Sequence, residues 1–228
     1  MPPPLYLIAT YLLASISGPQ LVARMHGVDL HRVGTRNLGG SNLTRNAGVV
    51  AGVTGGLIDA LKPPLAMLLT RALGADHATE IACGVVAIAA QQWPIWHRFD
   101  GGRGNAPMFA LLIAMSLPAA AIASLFVFVG LIIAQREKRN ESTLWTVGTP
   151  VGILFGFLAY PPIAAWLGAG GEVVLASAIA VALVILRRLT AGVRDDLELT
   201  DDLYRVLRNR LLYDRSEAQV RAGGSEIR

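Results

Sequence analysis

Two short segments of the sequence combine glycine, arginine and small polar residues in a pattern that suits phosphate binding. The first loop, residues 34–45, reads GTRNLGGSNLTR, and the second loop, residues 99–105, reads FDGGRGN. Glycine permits positive φ and lets backbone N–H groups approach a ligand closely. Successive N–H groups in such turns, with a following helix N-terminus, form an anion-binding concavity. Arginine adds bidentate contacts to phosphate oxygens.

The two loops therefore supply candidate ligands for phosphate. Neither loop has the spacing of a Walker or dinucleotide-binding motif. In an alternative interpretation the arginines only mark membrane topology and the glycines form interfacial turns, but two such loops favour an anion site. The candidate ligands are Asn37, Gly39, Gly40, Ser41, Asn42, Arg45, Gly101, Gly102 and Gly104.

The composition indicates that helices in a membrane position these loops. Of 228 residues, 53% are hydrophobic and 16% are charged, and the mean hydropathy is +0.49. In a soluble domain about a quarter of the residues are charged, so this composition excludes an ordinary soluble protein. The high hydrophobic content also excludes a disordered chain. One cysteine cannot form an intramolecular disulfide or a cysteine-based metal site. We attribute the net charge of +4 to basic loops facing anionic lipid rather than to a nucleic-acid partner.

The hydropathy pattern predicts an all-α polytopic membrane protein with seven transmembrane helices. The long apolar run 106–135 is divided in two because Pro118 lacks the N–H that a helix interior needs. The seven predicted spans are residues 4–23, 47–73, 79–97, 105–117, 118–135, 143–167 and 171–187.

The distribution of basic residues sets the predicted orientation. With seven spans, all of the 20 Lys and Arg residues except Lys62 and Arg71 fall on one face. The positive-inside rule then places the N-terminus outside and the C-terminus and both loops in the cytoplasm. We divide the chain into a membrane domain, 1–193, and a cytoplasmic tail, 194–228, that forms an amphipathic helix and frays at its end.

At these loops the sequence resembles the PlsY family, the acyl-phosphate:glycerol-3-phosphate acyltransferases of bacterial membranes. The resemblance covers about residues 10–195. Thr35 and Ser41 replace a serine and a threonine of the first family motif, hydroxyl for hydroxyl, and Asp59 and Lys62 match an Asp-x-x-Lys pair. The direct matches are Gly34, Asn37, Gly39, Asn42 and Arg45 in the first motif, and Pro94, Phe99, Gly101, Gly102 and Gly104 in the second.

The chain departs from the family pattern at several positions. Arg36 replaces a glycine, Arg103 a lysine and Gln91 a histidine. The family's Ser-Leu-x-Ser pattern is matched only weakly, by residues 143–146, where Thr143 and Thr146 replace the two serines. The third motif retains Arg188, Leu189 and Gly192, while its His and Asn positions are occupied by Ala182 and Ile185.

The resemblance implies transfer of a fatty acyl group from acyl phosphate to the 1-hydroxyl of glycerol 3-phosphate, in the inner membrane and on its cytoplasmic face. It implies catalytic roles for Thr35 and Arg103, phosphate binding by Arg188, and support from Asp59, Lys62 and Thr143. We expect no metal and no cofactor. Two alternatives stay open: a family member that is degenerate or uses another acceptor and, less favoured, a small transporter. A transporter needs more ionisable groups within its spans than this sequence has.

Overall fold

The computed structural model describes residues 2–140 and 148–217, and every regular element in this part of the chain is helical. This confirms the all-α prediction. The helices are α1 (Pro3–Ala14), α2 (Gly18–Met25), α3 (Gly40–Ala47), α4 (Val49–Ala72), α5 (His77–Gln92), α6 (Asn105–Met115), α7 (Leu117–Asn140), α8 (Gly148–Trp166), α9 (Gly171–Thr190), α10 (Val193–Leu197) and α11 (Leu203–Tyr213).

Large apolar side chains cover much of the outer surface, as expected of a protein that faces lipid. Leu13, Leu68 and Trp166 are 66%, 61% and 78% exposed. Four segments of the described chain are long and apolar enough to cross a membrane, and each overlaps a predicted span. They are Pro3–Met25, which contains α1 and α2, Leu117–Arg136, Gly148–Trp166 and Gly171–Leu197.

The other three predicted spans correspond to α4, α5 and α6, which are shorter or more charged. Helix α4 carries Asp59, Lys62 and Arg71. Helix α6 has 11 residues, which rise about 16 Å against a hydrocarbon core of about 30 Å. Helicity of the three segments is therefore observed, whereas seven crossings stay a prediction.

The apolar run 106–135 is broken, at Ser116 rather than at Pro118. Ser116 is extended, with φ −158°, and Pro118 lies in the first turn of α7, where its missing N–H has no cost. Phe109 and Ser124 line the same apolar cavity of about 160 Å³. Because a straight helix would separate them by about 22 Å, the chain must turn back at Ser116.

Two apolar clusters hold the helices and the first loop. The larger lies between the six helices α4 to α9 and includes the fully buried Phe157. The smaller contains Leu30, Leu38 and Leu43, each at most 1% exposed. Burial of a leucine side chain stabilises by about 1.5–3 kcal/mol, so this smaller cluster anchors the first loop at both ends.

A buried ion pair bridges the gap between α1 and α2. Lys62 Nζ lies 2.6 Å from Asp59 Oδ1, and both side chains are largely buried. Lys62 also donates to the carbonyls of Ala14, at 3.0 Å, and Ile16. Asp59 accepts from the Gly18 N–H at 2.9 Å. The pair satisfies the backbone groups that the helix break leaves open.

The tail folds back on the bundle, where α11 contacts α8 and α9. An ion pair of 2.6 Å joins Arg210 to Asp196, and each side chain is 2% exposed. Arg210 also donates to the Gly192 carbonyl at 2.5 Å, and Val206, within α11, is 1% exposed. The amphipathic helix predicted for the tail is therefore present as α11. The predicted fraying falls outside the described residues.

Candidate active site

The two loops meet at one cavity of about 360 Å³. Helices α3 and α6 both begin at its wall, and the end of α11 closes another side. The residues in its wall that the sequence predicted are Thr35, Asn37, Gly39, Gly40, Ser41, Asn42, Arg45, Asp59, Arg103 and Gly104. Residues far apart in sequence are thus brought together as the two motifs predicted.

Asn42 fixes the shape of the first loop from within α3. Its side chain is 1% exposed. The Oδ1 atom accepts from the Thr35 N–H at 3.1 Å. The Nδ2 group donates to the carbonyls of Val33 and Asn37, both at 3.1 Å. Gly34 adopts φ +56°, and a Cβ there would lie 2.3 Å from Asn42 Oδ1. Only glycine therefore fits the turn that Asn42 holds.

Helix α3 points its N-terminus at the cavity because it packs closely on α4. A Cβ on Gly40 would lie 2.9 Å from the Gly52 carbonyl oxygen, so both helices need glycine at the contact. The first N–H groups of a helix have no acceptor within it. Those of Gly40 and Ser41, which line the cavity, add the positive end of the helix dipole to an anion site.

Gly101 and Gly102 do not line the cavity, which corrects their predicted role. Their N–H groups donate to the carbonyls of Gln92, at 3.2 Å, and Gln91, at 3.1 Å. A Cβ on Gly101 would lie 2.2 Å from Gln91 O, and one on Gly102 would lie 2.0 Å from Gln91 Nε2. Glycine is needed at both positions because the second loop packs against the end of α5 with no room for a Cβ. Their amides are therefore unavailable to phosphate.

Arg187, which the sequence analysis missed, holds the second loop in place. It donates to the carbonyls of Gly101, at 2.8 Å, and Gly102, at 3.3 Å, and to Asp100 Oδ1 at 2.7 Å. Its guanidinium lies 5.9 Å from the centroid of the Trp93 ring. The available signal was an arginine pair at the end of an apolar span, of which we assigned a role only to Arg188.

Arg188 lies behind the cavity wall rather than in it. Its side chain is 1% exposed and donates to Asn105 Oδ1 at 3.3 Å and to the Leu211 carbonyl at 3.2 Å. Asn105 begins α6 directly after Gly104, whose φ of +81° turns the chain into the helix. Arg188 therefore positions the beginning of α6, and its positive charge acts on the cavity from behind the wall rather than by direct contact.

Arginines outnumber carboxylates among the described residues of the cavity wall, which include three of the former and two of the latter, Asp59 and Asp214. Arg45 and Arg103 both lie in its wall. Partial burial, followed by the charge of Arg103, lowers the pKa of Arg45 from its ordinary value, but an arginine stays protonated at neutral pH. With the N-termini of α3 and α6 added, the site favours a multiply charged anion.

The Asp59–Lys62 pair supports the cavity from α4. Asp59 lines the wall and accepts from Gln91 Nε2 at 3.3 Å, while Lys62 lies behind it. Ala182 is exposed and Ile185 is half-buried, and neither lines the cavity. Thr143 lies outside the described residues. Among those that are described, no three His, Cys, Asp or Glu side chains are grouped to hold a metal ion.

Together, the apolar exterior and the cationic cavity between two loops define a helical membrane protein with an anion-binding face. The sequence model of the family described as glycerol-3-phosphate acyltransferase matches residues 4–194. The chain belongs to this family, which confirms the resemblance noted at the two loops.

The chain also matches individual glycerol-3-phosphate acyltransferases over most of their length. The chain is 31% identical over 159 residues to the glycerol-3-phosphate acyltransferase of Aquifex aeolicus, covering 65% of this chain and 82% of that one. It is 33% identical over 162 residues to that of Halalkalibacterium halodurans, covering 69% and 78%. These are levels at which the same fold and the same loop positions are expected.

Two solved structures share the fold. Both are of PlsY (YgiH), an integral membrane glycerol 3-phosphate acyltransferase. The glycerol 3-phosphate form has a TM-score of 0.69 at 24% identity and covers 96% of this chain and 98% of that one. The lysophosphatidic acid form has a TM-score of 0.68 at 22% identity and covers 92% and 94%.

Proposed function

We propose that this protein transfers a fatty acyl group from acyl phosphate to the 1-hydroxyl of glycerol 3-phosphate, releasing lysophosphatidate and inorganic phosphate. Lysophosphatidate is a precursor of phospholipids. The observation that carries the proposal is the convergence of both loops, two helix N-termini, Arg45 and Arg103 on one cavity. Both substrates carry a phosphate, and the family match adds the reaction class.

The chemistry needs positioning and charge stabilisation more than a covalent intermediate. The acceptor hydroxyl oxygen attacks the acyl carbonyl, the bond between carbonyl carbon and phosphate oxygen breaks, and the departing phosphate takes up the hydroxyl proton. Because acyl phosphate is already activated, holding both substrates in line supplies much of the rate. Fixed donors aimed at the developing charge supply more.

Individual roles follow from the position of each group in the wall. Arg103 stabilises the charge that grows on the leaving phosphate, and Thr35 contacts the reacting carbonyl or the acceptor hydroxyl. Arg45 and the amides of Gly40 and Ser41 bind the second phosphate. Asp59 holds the polar wall in shape through Gln91.

We further propose that the cavity opens to the cytoplasm at the inner membrane. Both loops lie at one cavity, so they share one face of the membrane. Seven crossings with the N-terminus outside would put nearly all basic residues on that face, in accord with the positive-inside rule.

A second candidate is an acyltransferase that uses another phosphorylated acceptor. It is favoured by one observation: Ala182 and Ile185 stand at the expected His and Asn positions, and neither reaches the cavity. The anion site is unchanged under this alternative, and only the groups that bind the acceptor hydroxyls differ.

The experiment is a product assay with purified protein in lipid nanodiscs. Palmitoyl phosphate and labelled glycerol 3-phosphate are expected to give labelled lysophosphatidate and one equivalent of inorganic phosphate. A palmitoyl thioester in place of the phosphate is expected to give none. If folded protein yields no product with glycerol 3-phosphate but acylates another polyol phosphate, the second candidate replaces the first.

A further inference from the structure

The tail brings a carboxylate into the anion site. Arg103 Nη1 donates to Asp214 Oδ1 at 2.6 Å and also to the backbone carbonyl of Asp214. Asn105 Nδ2 donates to the other carboxylate oxygen, Oδ2, at 3.2 Å. Asp214 lines the cavity, and the side chains of Arg103 and Asp214 are only 19% and 16% exposed. A carboxylate is therefore already bound by two donors of the cavity wall.

These contacts are the ones that a phosphate would make. Guanidinium and amide donors bind carboxylate and phosphate oxygens with the same geometry. We propose that Asp214 is an internal anion that occupies the phosphate position at Arg103 and must be displaced when substrate binds. The inference rests on the proposed function, since the displacing phosphate belongs to the acyl donor or the acceptor.

The structure lets Asp214 leave without unfolding the tail. The tail is anchored independently by the buried Arg210–Asp196 pair and by the bond from Arg188 to the Leu211 carbonyl. Asp214 follows the last residue of α11 and adopts φ +53°, a conformation that aspartate tolerates better than most residues. Rotation of the Asp214 side chain withdraws its carboxylate from Arg103 and Asn105, while the bond from Arg103 to the Asp214 backbone carbonyl stays in place.

Competition from the Asp214 carboxylate lowers the affinity of the cavity for phosphate without changing the contacts that bound phosphate makes. The apparent affinity for phosphate is the intrinsic affinity multiplied by the fraction of molecules in which the Asp214 carboxylate is away from Arg103. Neutralising Asp214 raises that fraction and also removes a negative charge from the cavity. If Asp214 instead served to orient Arg103, neutralising it would weaken binding, so the two roles predict changes of opposite sign.

The test is titration calorimetry of inorganic phosphate and glycerol 3-phosphate into the full-length protein in nanodiscs. Asp214→Asn is expected to lower Kd by about threefold or more. The matched control is Asp201→Asn, which removes the same charge from the exposed turn before α11; its Kd is expected to equal that of the wild type. Asp214→Glu, which keeps the charge, is expected to stay near the wild-type Kd.

The gain in phosphate affinity in Asp214→Asn must act through Arg103. In an Arg103→Ala background, Asp214→Asn is expected to change Kd by less than about twofold. An unchanged or raised Kd in Asp214→Asn, or a gain that persists without Arg103, overturns the proposal, as does a lack of phosphate binding in every variant. Since phosphate binding needs no acyl transfer, the binding measurements can be interpreted even if the product assay fails.

Discussion

The side-chain oxygen Oδ1 of Asn42 accepts a hydrogen bond from the Thr35 N–H, 3.1 Å away, so a residue of α3 sets the shape of the loop that precedes it. The same side chain donates to two further carbonyls of that segment. The first loop is thus a preformed part of the site, because its shape is fixed by contacts within the protein.

Replacing Asn42 is expected to disable the first loop. Asn42→Asp keeps the size but replaces both N–H donors with a carboxylate oxygen facing the carbonyls of Val33 and Asn37. Leaving such buried groups unsatisfied costs about 1–3 kcal/mol, and we expect kcat/KM for acyl transfer to fall by about tenfold or more. The comparison is Asn46→Asp, at an exposed side chain of the same helix that donates to the carbonyl and Oδ1 of Asn42 but does not contact the loop carbonyls; there we expect a smaller loss. Equal losses in the two variants would contradict the assigned role.

Arg187 is expected to act as a positioning residue for the second loop. Arg187→Lys keeps the charge but cannot reproduce the fork that binds two carbonyls and Asp100. We expect kcat to fall about tenfold with little change in KM, because the loop carries Arg103. Arg194→Lys, at an exposed position in α10, is the control and should match the wild type. A pure loss of thermal stability at normal kcat would argue for a structural role alone.

The sequence predicted the parts of the site that lie within single motifs. Asn42, Arg45 and Gly104 line the cavity because the spacing in each loop reflects a local turn. It did not predict that Gly101 and Gly102 would be used against α5, since the partner carbonyls lie at the end of another helix. Nor did it predict Asp214 in the wall, because helical periodicity indicates that α11 exists but says nothing of where its last residue contacts the bundle.

The seven-span topology predicts the accessibility of two engineered cysteines. In a Cys83→Ala background, Asn140→Cys is expected to react only with a reagent that reaches the cytoplasm, and Ala75→Cys, between α4 and α5, with one restricted to the periplasm. Labelling of intact and permeabilised cells distinguishes the two faces. Periplasmic labelling at residue 140 would contradict seven crossings.

The most direct test of the phosphate cavity compares kcat/KM for acyl transfer in Arg45→Ala and Arg103→Ala with that of the wild type. Arg32→Ala, whose side chain is 85% exposed and pairs with Asp29, serves as the matched control. Because both arginines line one cavity, we expect each loss to be tenfold or more, about 1.4 kcal/mol of transition-state stabilisation, and the control to be unchanged. Wild-type kinetics in both cavity variants would mean that the two loops are only turns.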